Sequence, residues 1–315
     1  MHMQVVHNCY TPKETVELCS RAGVGKANMR IDKIFFSAFT AGCLLAFACA
    51  GTLATNAAPW YQENAPGLIR MLGAVIFPWG LVAIVSTGTD LCTASFMFTT
   101  LSCLHRRLSP LKVLAHWTIT FFGNLAGSLF IAGLITGYGG VFDTAAYHTE
   151  ALSFAKSKAV TPEWHMVFLR GIGANWLVCL ACFLAFMARE YFSKVVAIWW
   201  PTFAFVCLGF DHVVANMFFI PTAIFLGAPD ITVGYYIWKS MIPTLLGNIV
   251  GGGVFVAAIF WYLYITGDSN PVTVDGVDFG VDREPLVGRE QDETPSGEGS
   301  SNEKDMARKS AENMV

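Results

Sequence analysis

Two apolar runs of this sequence are too long for one straight helix across a membrane and too short for two. Residues 71–104 contain a single charge, Asp90, and residues 195–229 contain Asp211 and His212. A continuous helix over the first run would be about 51 Å long, whereas the hydrocarbon core of a bilayer is about 30 Å thick. Each run is therefore predicted to be one crossing made of two half-helices, broken at 86–90 and at 209–212.

Four further runs are predicted to cross as ordinary helices. Residues 34–61, 113–142 and 240–267 form uncharged runs, and residues 171–188 form a slightly shorter one. Charged residues make up 14% of the chain and hydrophobic residues 54%, whereas a soluble domain has about 25% charged residues. The chain is thus predicted to be an all-α membrane protein whose domain of six transmembrane helices, the second and fifth broken, occupies residues 31–266.

The segments that flank this domain differ in charge. Residues 1–30 are predicted to hold a short amphipathic helix, because Thr11-Pro12-Lys13-Glu14 has the pattern of a capped helix start. Residues 267–315 hold 12 acidic and 5 basic residues among Gly, Ser and Pro, which predicts a disordered acidic tail. With the N-terminus inside, ten Lys and Arg residues lie in inner segments and five in outer ones. We therefore expect both termini in the cytoplasm and a multi-pass protein of the plasma membrane.

The two halves of the domain resemble each other. Residues 88–95 align with residues 209–216 at an offset of 121, and residues 123–127 align with residues 247–251 at an offset of 124. Two matches at nearly one offset indicate a duplicated unit of three crossings. An odd number of crossings forces the two copies into opposite orientations, as in the inverted repeats of many transporters. Chance similarity between glycine-rich helices is the alternative.

Ionisable residues at membrane depth are functional candidates, and the breaks contain Asp90, Asp211 and His212. For both aspartates the structural alternative is an N-cap of the second half-helix. His212 occurs in one repeat only, where Leu91 is its counterpart. Its ring is predicted to lie beside a helix N-terminus, where anions bind, and to share a proton near neutral pH. His116 lies at the edge of its run and is expected at the membrane interface.

Other polar residues in the crossings have two interpretations. Thr87 and Thr93 flank the first break and present hydroxyls either to a cavity or to their own helix backbone. The mid-span asparagines Asn124, Asn175 and Asn248 line a pore or form interhelical hydrogen bonds. The cysteines lie in apolar runs and are predicted to pack there, so no metal site, no cofactor and no nucleic-acid partner is expected.

The chain resembles the formate–nitrite transporters over about residues 15–265. The resemblance rests on five motifs in this order: Ala22-Gly23-Val24-Gly25-Lys26-Ala27; Gly88-Thr89-Asp90-Leu91-Cys92-Thr93; Phe122-Gly123-Asn124-Leu125-Ala126-Gly127; Arg170-Gly171 with Asn175-Trp176-Leu177-Val178-Cys179-Leu180-Ala181; and Gly209-Phe210-Asp211-His212-Val213-Val214-Ala215-Asn216-Met217. The acidic tail and the cysteine-rich crossings resemble the nitrite transporters of filamentous fungi most closely.

This resemblance implies an aquaporin-like fold assembled as a homo-pentamer, with one path in each protomer. It places His212 at the centre of the path, with Thr93 or Thr87 as its hydroxyl partner and Asn175 and Asn248 as pore asparagines. Lys26 and Lys158 become vestibule lysines. Apolar constrictions are implied at five positions: Phe77, Leu81, Leu91, Val178 and Phe205.

The function predicted from these residues is transport of a small monovalent anion, nitrite, with formate as a second substrate, coupled to protons. A bare charge is costly between apolar constrictions, so the anion is expected to cross as a neutral or nearly neutral acid. The alternatives are a channel for lactate or hydrosulfide, and a membrane-embedded enzyme. The enzyme is disfavoured because adjacent residues of a helix do not face each other. A water or neutral-solute channel lacks its paired Asn-Pro-Ala signature here.

Overall fold

The computed structural model describes residues 9–267 and 271–279 of the chain. In this part, six helical stretches are long and apolar enough to cross a membrane, as the sequence predicts. They extend over Ile31–Asn56, Pro66–Thr87, Pro110–Tyr138, Trp164–Met187, Tyr191–Leu208 and Val233–Tyr264. The fold is that of an all-α, aquaporin-like membrane protein made of two inverted repeats.

The first half of the chain contains the N-terminal helix and the first three crossings. Its helices are α1 (Pro12–Ala27), α2 (Ile31–Asn56), α3 (Pro59–Asn64), α4 (Pro66–Ile76), α5 (Pro78–Thr87), α6 (Cys92–Leu104) and α7 (Pro110–Leu129), which continues as a π-helical segment over Phe130–Tyr138. The capping box predicted for α1 is confirmed, because Thr11 and Glu14 each accept a hydrogen bond from the other's backbone N–H.

The second half repeats this order. Its helices are α8 (Ala145–Ala159), α9 (Trp164–Met187), α10 (Tyr191–Leu208), α11 (Val213–Phe225), α12 (Val233–Tyr236), α13 (Ile242–Ile249) and α14 (Ile259–Tyr264), with π-helical segments at Ile237–Met241 and Val250–Ala258. Three crossings separate α1 from α8, so these helices lie at opposite ends of the domain. We call the two ends the α1 mouth and the α8 mouth.

Both breaks begin at a glycine in the left-handed region. α5 ends at Gly88, with φ of 69°, and α10 ends at Gly209, with φ of 72°. Glycine adopts this conformation without the steric cost of a Cβ atom, so it ends each half-helix. The next half-helices, α6 and α11, are 13 residues each, and their N-termini point into the protein.

Equivalent glycines of the two repeats allow close helix packing. A Cβ atom on Gly127 of α7 would lie 2.0 Å from the carbonyl oxygen of Phe39 on α2. In the second repeat, a Cβ atom on Gly251 would lie 2.4 Å from the carbonyl oxygen of Ile172 on α9. These contacts leave no room for a side chain, so any larger residue would separate the helices.

Part of the segment predicted to be a disordered tail is ordered, and that prediction is wrong for residues 271–279. Strands β1 (Val272–Val274) and β2 (Val277–Phe279) form an antiparallel hairpin. Its turn is Asp275-Gly276, with positive φ at both residues, which is the preferred chemistry for a two-residue hairpin loop. Val272 and Val274 bury against Leu18 of α1, and this apolar contact offsets the entropy of ordering the segment. The rest of the predicted tail lies outside the described residues, apart from Gly267.

Candidate functional site

The N-termini of α6 and α11 meet at a contact between Thr93 and His212. The Oγ1 atom of Thr93 lies 2.8 Å from Nε2 of His212, and both residues are buried. Nδ1 of His212 accepts a hydrogen bond from the backbone N–H of Ala215 at 3.2 Å, so this imidazole is the N-cap of α11. Because Nδ1 is the acceptor, the neutral ring carries its proton on Nε2 and donates it towards Thr93. The site therefore presents an N–H donor at the buried start of a helix.

The prediction that Asp90 and Asp211 are N-caps is wrong. The N-cap residues are Leu91 and His212, one position later in each break. Asp90 instead accepts a hydrogen bond from the Ser95 hydroxyl at 2.5 Å, and Asp211 accepts one from the Asn216 amide at 3.4 Å. The backbone of each N-cap residue, Leu91 and His212, is extended, and each aspartate lies one residue before it.

Asn124 and Asn248 hold the two breaks in the same way. The Asn124 amide donates to the carbonyls of Ala38 and Asp90, and its oxygen accepts from the N–H of Cys92. The Asn248 amide donates to the carbonyls of Gly171 and Asp211, and its oxygen accepts from the N–H of Val213. Of the two interpretations of these asparagines, the contacts are those of a structural clamp.

Asn175 is also buried near the centre. Its amide donates to the carbonyls of Thr93 at 3.0 Å and Asn248 at 2.7 Å, while its Oδ1 atom is buried without a hydrogen-bond partner. Asn175 therefore joins the two repeats at the level of Thr93. Its role in a substrate pathway stays a prediction.

An apolar pocket lies against His212 and is lined by all five residues predicted to form constrictions. The lining is Leu45, Phe77, Leu81, Leu91, Val178, Thr202, Phe205 and His212. The lining side chains leave no room for a water molecule between them. The Phe77 and Phe205 rings meet edge to face, with centroids 5.5 Å apart. In this conformation the pocket is too narrow for a water molecule.

Thr87 is not brought to this pocket. Its hydroxyl donates to the carbonyl of Ala83 on its own helix at 2.7 Å and also contacts Thr89. Of the two interpretations of Thr87, the contacts fit the backbone-bonded one. Thr93 is the hydroxyl next to the imidazole.

Each mouth has a lysine beside the aspartate of its break. At the α1 mouth, Lys26 Nζ lies 3.6 Å from Asp90 Oδ1 and 3.5 Å from the carbonyl oxygen of Gly88. At the α8 mouth, Lys158 Nζ lies 3.2 Å from Asp211 Oδ1 and donates to the carbonyls of Gly209 and Phe210 at 2.7 and 2.8 Å. Lys158 is the more deeply buried of the two lysines. More of its positive charge is therefore compensated by neighbouring protein groups.

His116, expected at the membrane interface, is buried inside the protein. Its Nε2 atom lies 3.1 Å from Asp90 Oδ2, and the ring is 1% exposed. The residue sits where α7 passes the first break, and Ser240 holds the equivalent place in the second repeat. The prediction was based on the position of His116 at the edge of its apolar run. It is wrong because the break brings Asp90 to the same depth, where the two side chains meet.

Three residues at the path were not predicted from the sequence. Leu45 and Thr202 line the pocket, and Arg70 lies at the α8 mouth, where its guanidinium is 3.9 Å from the position of a Cβ atom on Gly209. The repeat offset of 121 pairs Arg70 with Tyr191, which contacts Ser86 in the first half. The repeat offset is therefore the sequence signal that could have identified Arg70.

Glu150, an acidic residue outside the crossings, has a raised pKa. Burial of Glu150 on α8 raises the pKa of its carboxyl from the ordinary 4.5 to about 7, although a hydrogen bond from Gln62 opposes the shift. Across the described ranges, no group of three or more His, Cys, Asp and Glu side chains is arranged to hold a metal ion.

A family model described as "Formate/nitrite transporter" matches residues 13–262. A probable formate transporter of Methanothermobacter thermautotrophicus is 35% identical over 270 residues, which are 81% of this chain and 97% of that protein. A formate channel of Bacillus thuringiensis is 30% identical over 83% of this chain and 98% of its own length. A likeness closest to fungal nitrite transporters is not confirmed by these relatives, whose names refer to formate.

Solved structures agree with the fold. One described as a pentameric formate channel with formate bound superposes with a TM-score of 0.66 at 28% identity, covering 74% of this chain and 97% of that chain. One described as an FNT family ion channel superposes with a TM-score of 0.69 at 28% identity, covering 79% of this chain and 98% of that chain. The relatives that carry a functional name are transporters and channels, and none of these is named as an enzyme.

Proposed function

The chain belongs to the formate/nitrite transporter family, and from this premise we propose that it carries nitrite, with formate as a second substrate, together with a proton. The relatives named above support formate directly, because their names describe formate transporters and channels. Nitrite is the finer proposal, supported by the acidic tail and by the cysteine-rich crossings. Lactate and hydrosulfide are the competing small anions.

The observation that carries the proposal is a single imidazole in a largely apolar constriction. His212 offers Nε2–H next to Thr93, and the pocket around it is lined, apart from Thr202, by aromatic and aliphatic side chains. A bare anion loses its hydration there at a cost of many kcal/mol, whereas a protonated weak acid does not. The geometry therefore favours a small acid that is neutral, or nearly so, when it passes the ring.

The two mouths supply the anion. Lys26 at the α1 mouth and Lys158 at the α8 mouth lie on either side of the constriction. Their positive charge raises the local concentration of anions at each entrance. An anion that moves from a lysine into the apolar pocket is stabilised when it shares a proton. His212 or an adjacent water is the partner that shares this proton.

The assembly and the orientation follow the same premise. The relative with a pentameric structure supports a homo-pentamer with one path per protomer. The excess of Lys and Arg in the segments around α1 supports both termini in the cytoplasm, and places the α1 mouth on the cytoplasmic side of the plasma membrane.

Uptake by proteoliposomes tests the proposal. Wild-type uptake of nitrite and formate is expected to rise as the outside pH falls, and to fall by about tenfold or more in His212→Phe, which removes the donor. His212→Asn is the matched variant, because Asn also caps helices and keeps an N–H donor but does not titrate near neutral pH. It should fold and retain slow uptake with a weaker pH dependence. Unchanged, pH-independent uptake in His212→Phe would contradict the role of the imidazole.

A further inference from the structure

The pocket beside His212 contains a second polar side chain, Thr202, that the proposed function does not use. Thr202 lies on α10, one helical turn before Phe205, and is 0% exposed. The six other lining residues are apolar. A hydroxyl is therefore placed in the narrowest part of the path, where an apolar side chain would fit the surroundings better.

The Thr202 hydroxyl is buried without a hydrogen-bond partner. Several buried threonines donate to the carbonyl four residues earlier on their own helix, as Thr52 does to Ala48, Thr120 to His116 and Thr222 to Phe218, at 2.7 to 2.9 Å. Such a bond satisfies the hydroxyl locally. Thr202 makes no such bond with Ile198, so its hydrogen-bonding capacity is left for another group. The Thr244 hydroxyl is also buried without a partner, but it does not line the pocket beside His212.

An unpaired buried hydroxyl is destabilising, because the group has lost its bonds to water and gained none. Valine has the same shape and would avoid this cost. The pocket is too narrow for a water molecule, so the partner of the hydroxyl has to enter as the constriction widens. The molecule that passes through this pocket is the transported substrate.

We infer that Thr202 is a substrate-binding residue that holds one oxygen of the substrate while the Nε2–H of His212, which exchanges its contact with Thr93 for the substrate, holds the other. The inference rests on the proposed function and narrows its substrate class. A hydroxyl both donates and accepts, so it binds either the oxygen of an anion or the O–H of a neutral acid. Two hydrogen-bonding groups in one pocket suit a small monoanion with two oxygens, such as nitrite or formate, over hydrosulfide with its single heavy atom.

The test compares Thr202→Val, Thr202→Ser and wild type in proteoliposomes with formate and nitrite as probes. Thr202→Val is expected to raise the KM for both anions roughly tenfold, because a bound oxygen loses its partner. Its Tm in detergent should stay equal to the wild-type value or rise, since an unpaired hydroxyl is removed. Thr202→Ser keeps the hydroxyl, so its KM should stay within about twofold of wild type.

Thr222→Val is the matched control, because it also removes a buried hydroxyl but breaks a bond to the carbonyl of Phe218. It should lower the Tm and leave the KM unchanged, the opposite pattern to Thr202→Val. An unchanged KM in Thr202→Val, or a lowered Tm with both KM values intact, would overturn the inference. Absence of saturable uptake by the wild-type protein would instead contradict the proposed function.

Discussion

The first break, around Asp90, and the second, around Asp211, are built from equivalent parts. Each begins at a left-handed glycine and is held by an asparagine from the third crossing of its repeat. Each also has a lysine beside its aspartate. The residues that face the path are different, because Leu91 in the first break corresponds to His212 in the second. The duplicated positions that bond to the backbone have been kept, whereas those that line the path have diverged. One repeat supplies an apolar wall and the other supplies the donor.

The side chains that surround the two aspartates also differ between the repeats. Asp90 has the imidazole of His116 and the hydroxyl of Ser95 as neighbours, in addition to Lys26. Asp211 has the amide of Asn216, which also donates to Ser240 at 3.1 Å. Thus an imidazole contacts the aspartate of the first break, whereas in the second break an amide links the aspartate to a serine hydroxyl.

The largest expected effect tests what the two breaks share, the asparagine that holds each of them. Asn124→Leu and Asn248→Leu each remove three hydrogen bonds to backbone groups at a break. Because each buried group left unpaired costs about 1–3 kcal/mol, both variants should lose most of their thermal stability in detergent, by similar amounts. Size-exclusion chromatography after a temperature series measures this. A silent variant in one repeat would show that the two clamps are not equivalent.

The second prediction concerns the two aspartates. Removing one partner of a buried ion pair costs about 3–5 kcal/mol, because the other charge stays buried. The Lys158 side chain is 8% exposed and that of Lys26 is 19% exposed, so Lys26 reaches water more easily once its partner is lost. Asp211→Asn should therefore lower the Tm more than Asp90→Asn. The reverse order would indicate that His116, and not Lys26, dominates the cost at the first break.

The smallest expected effect concerns the outer pair Arg70 and Tyr191, which occupy equivalent positions in the two repeats. Arg70 is exposed beside Gly209, and an exposed charge of this kind contributes about 1 kcal/mol or less. Arg70→Gln should raise the KM for anions presented at the α8 mouth by a few-fold, with an effect that fades in high salt. Arg70→Lys should retain the wild-type KM. Tyr191→Phe should change neither the KM nor its dependence on salt. A salt-independent change in Arg70→Gln would argue against attraction of the anion.

Much of the fold could be predicted because membrane crossing imposes simple arithmetic on the sequence. The run lengths and two charged residues located both breaks, and the offset between glycine motifs revealed the repeat. The five constriction residues came from the family resemblance, and the structure places all of them around one pocket. Periodicity alone would not have selected them from a chain in which most residues are apolar.

The errors have physical reasons. The aspartates fitted the composition of an N-cap, but a cap depends on the φ and ψ of one residue, and the extended peptide placed Leu91 and His212 there instead. The hairpin was missed because composition averaged over 49 residues hid a short alternation of Val, Thr, Asp and Phe around Asp275-Gly276. That dipeptide between alternating apolar residues is a specific hairpin signal.

The narrowness of the pocket at His212 has a consequence for the membrane that contains it. Protons travel along files of hydrogen-bonded water, and a pocket too narrow for a water molecule interrupts any such file. A protomer in this conformation is then sealed against the leakage of protons down the electrochemical gradient. A membrane can therefore hold many copies of the protein without losing its gradient through them.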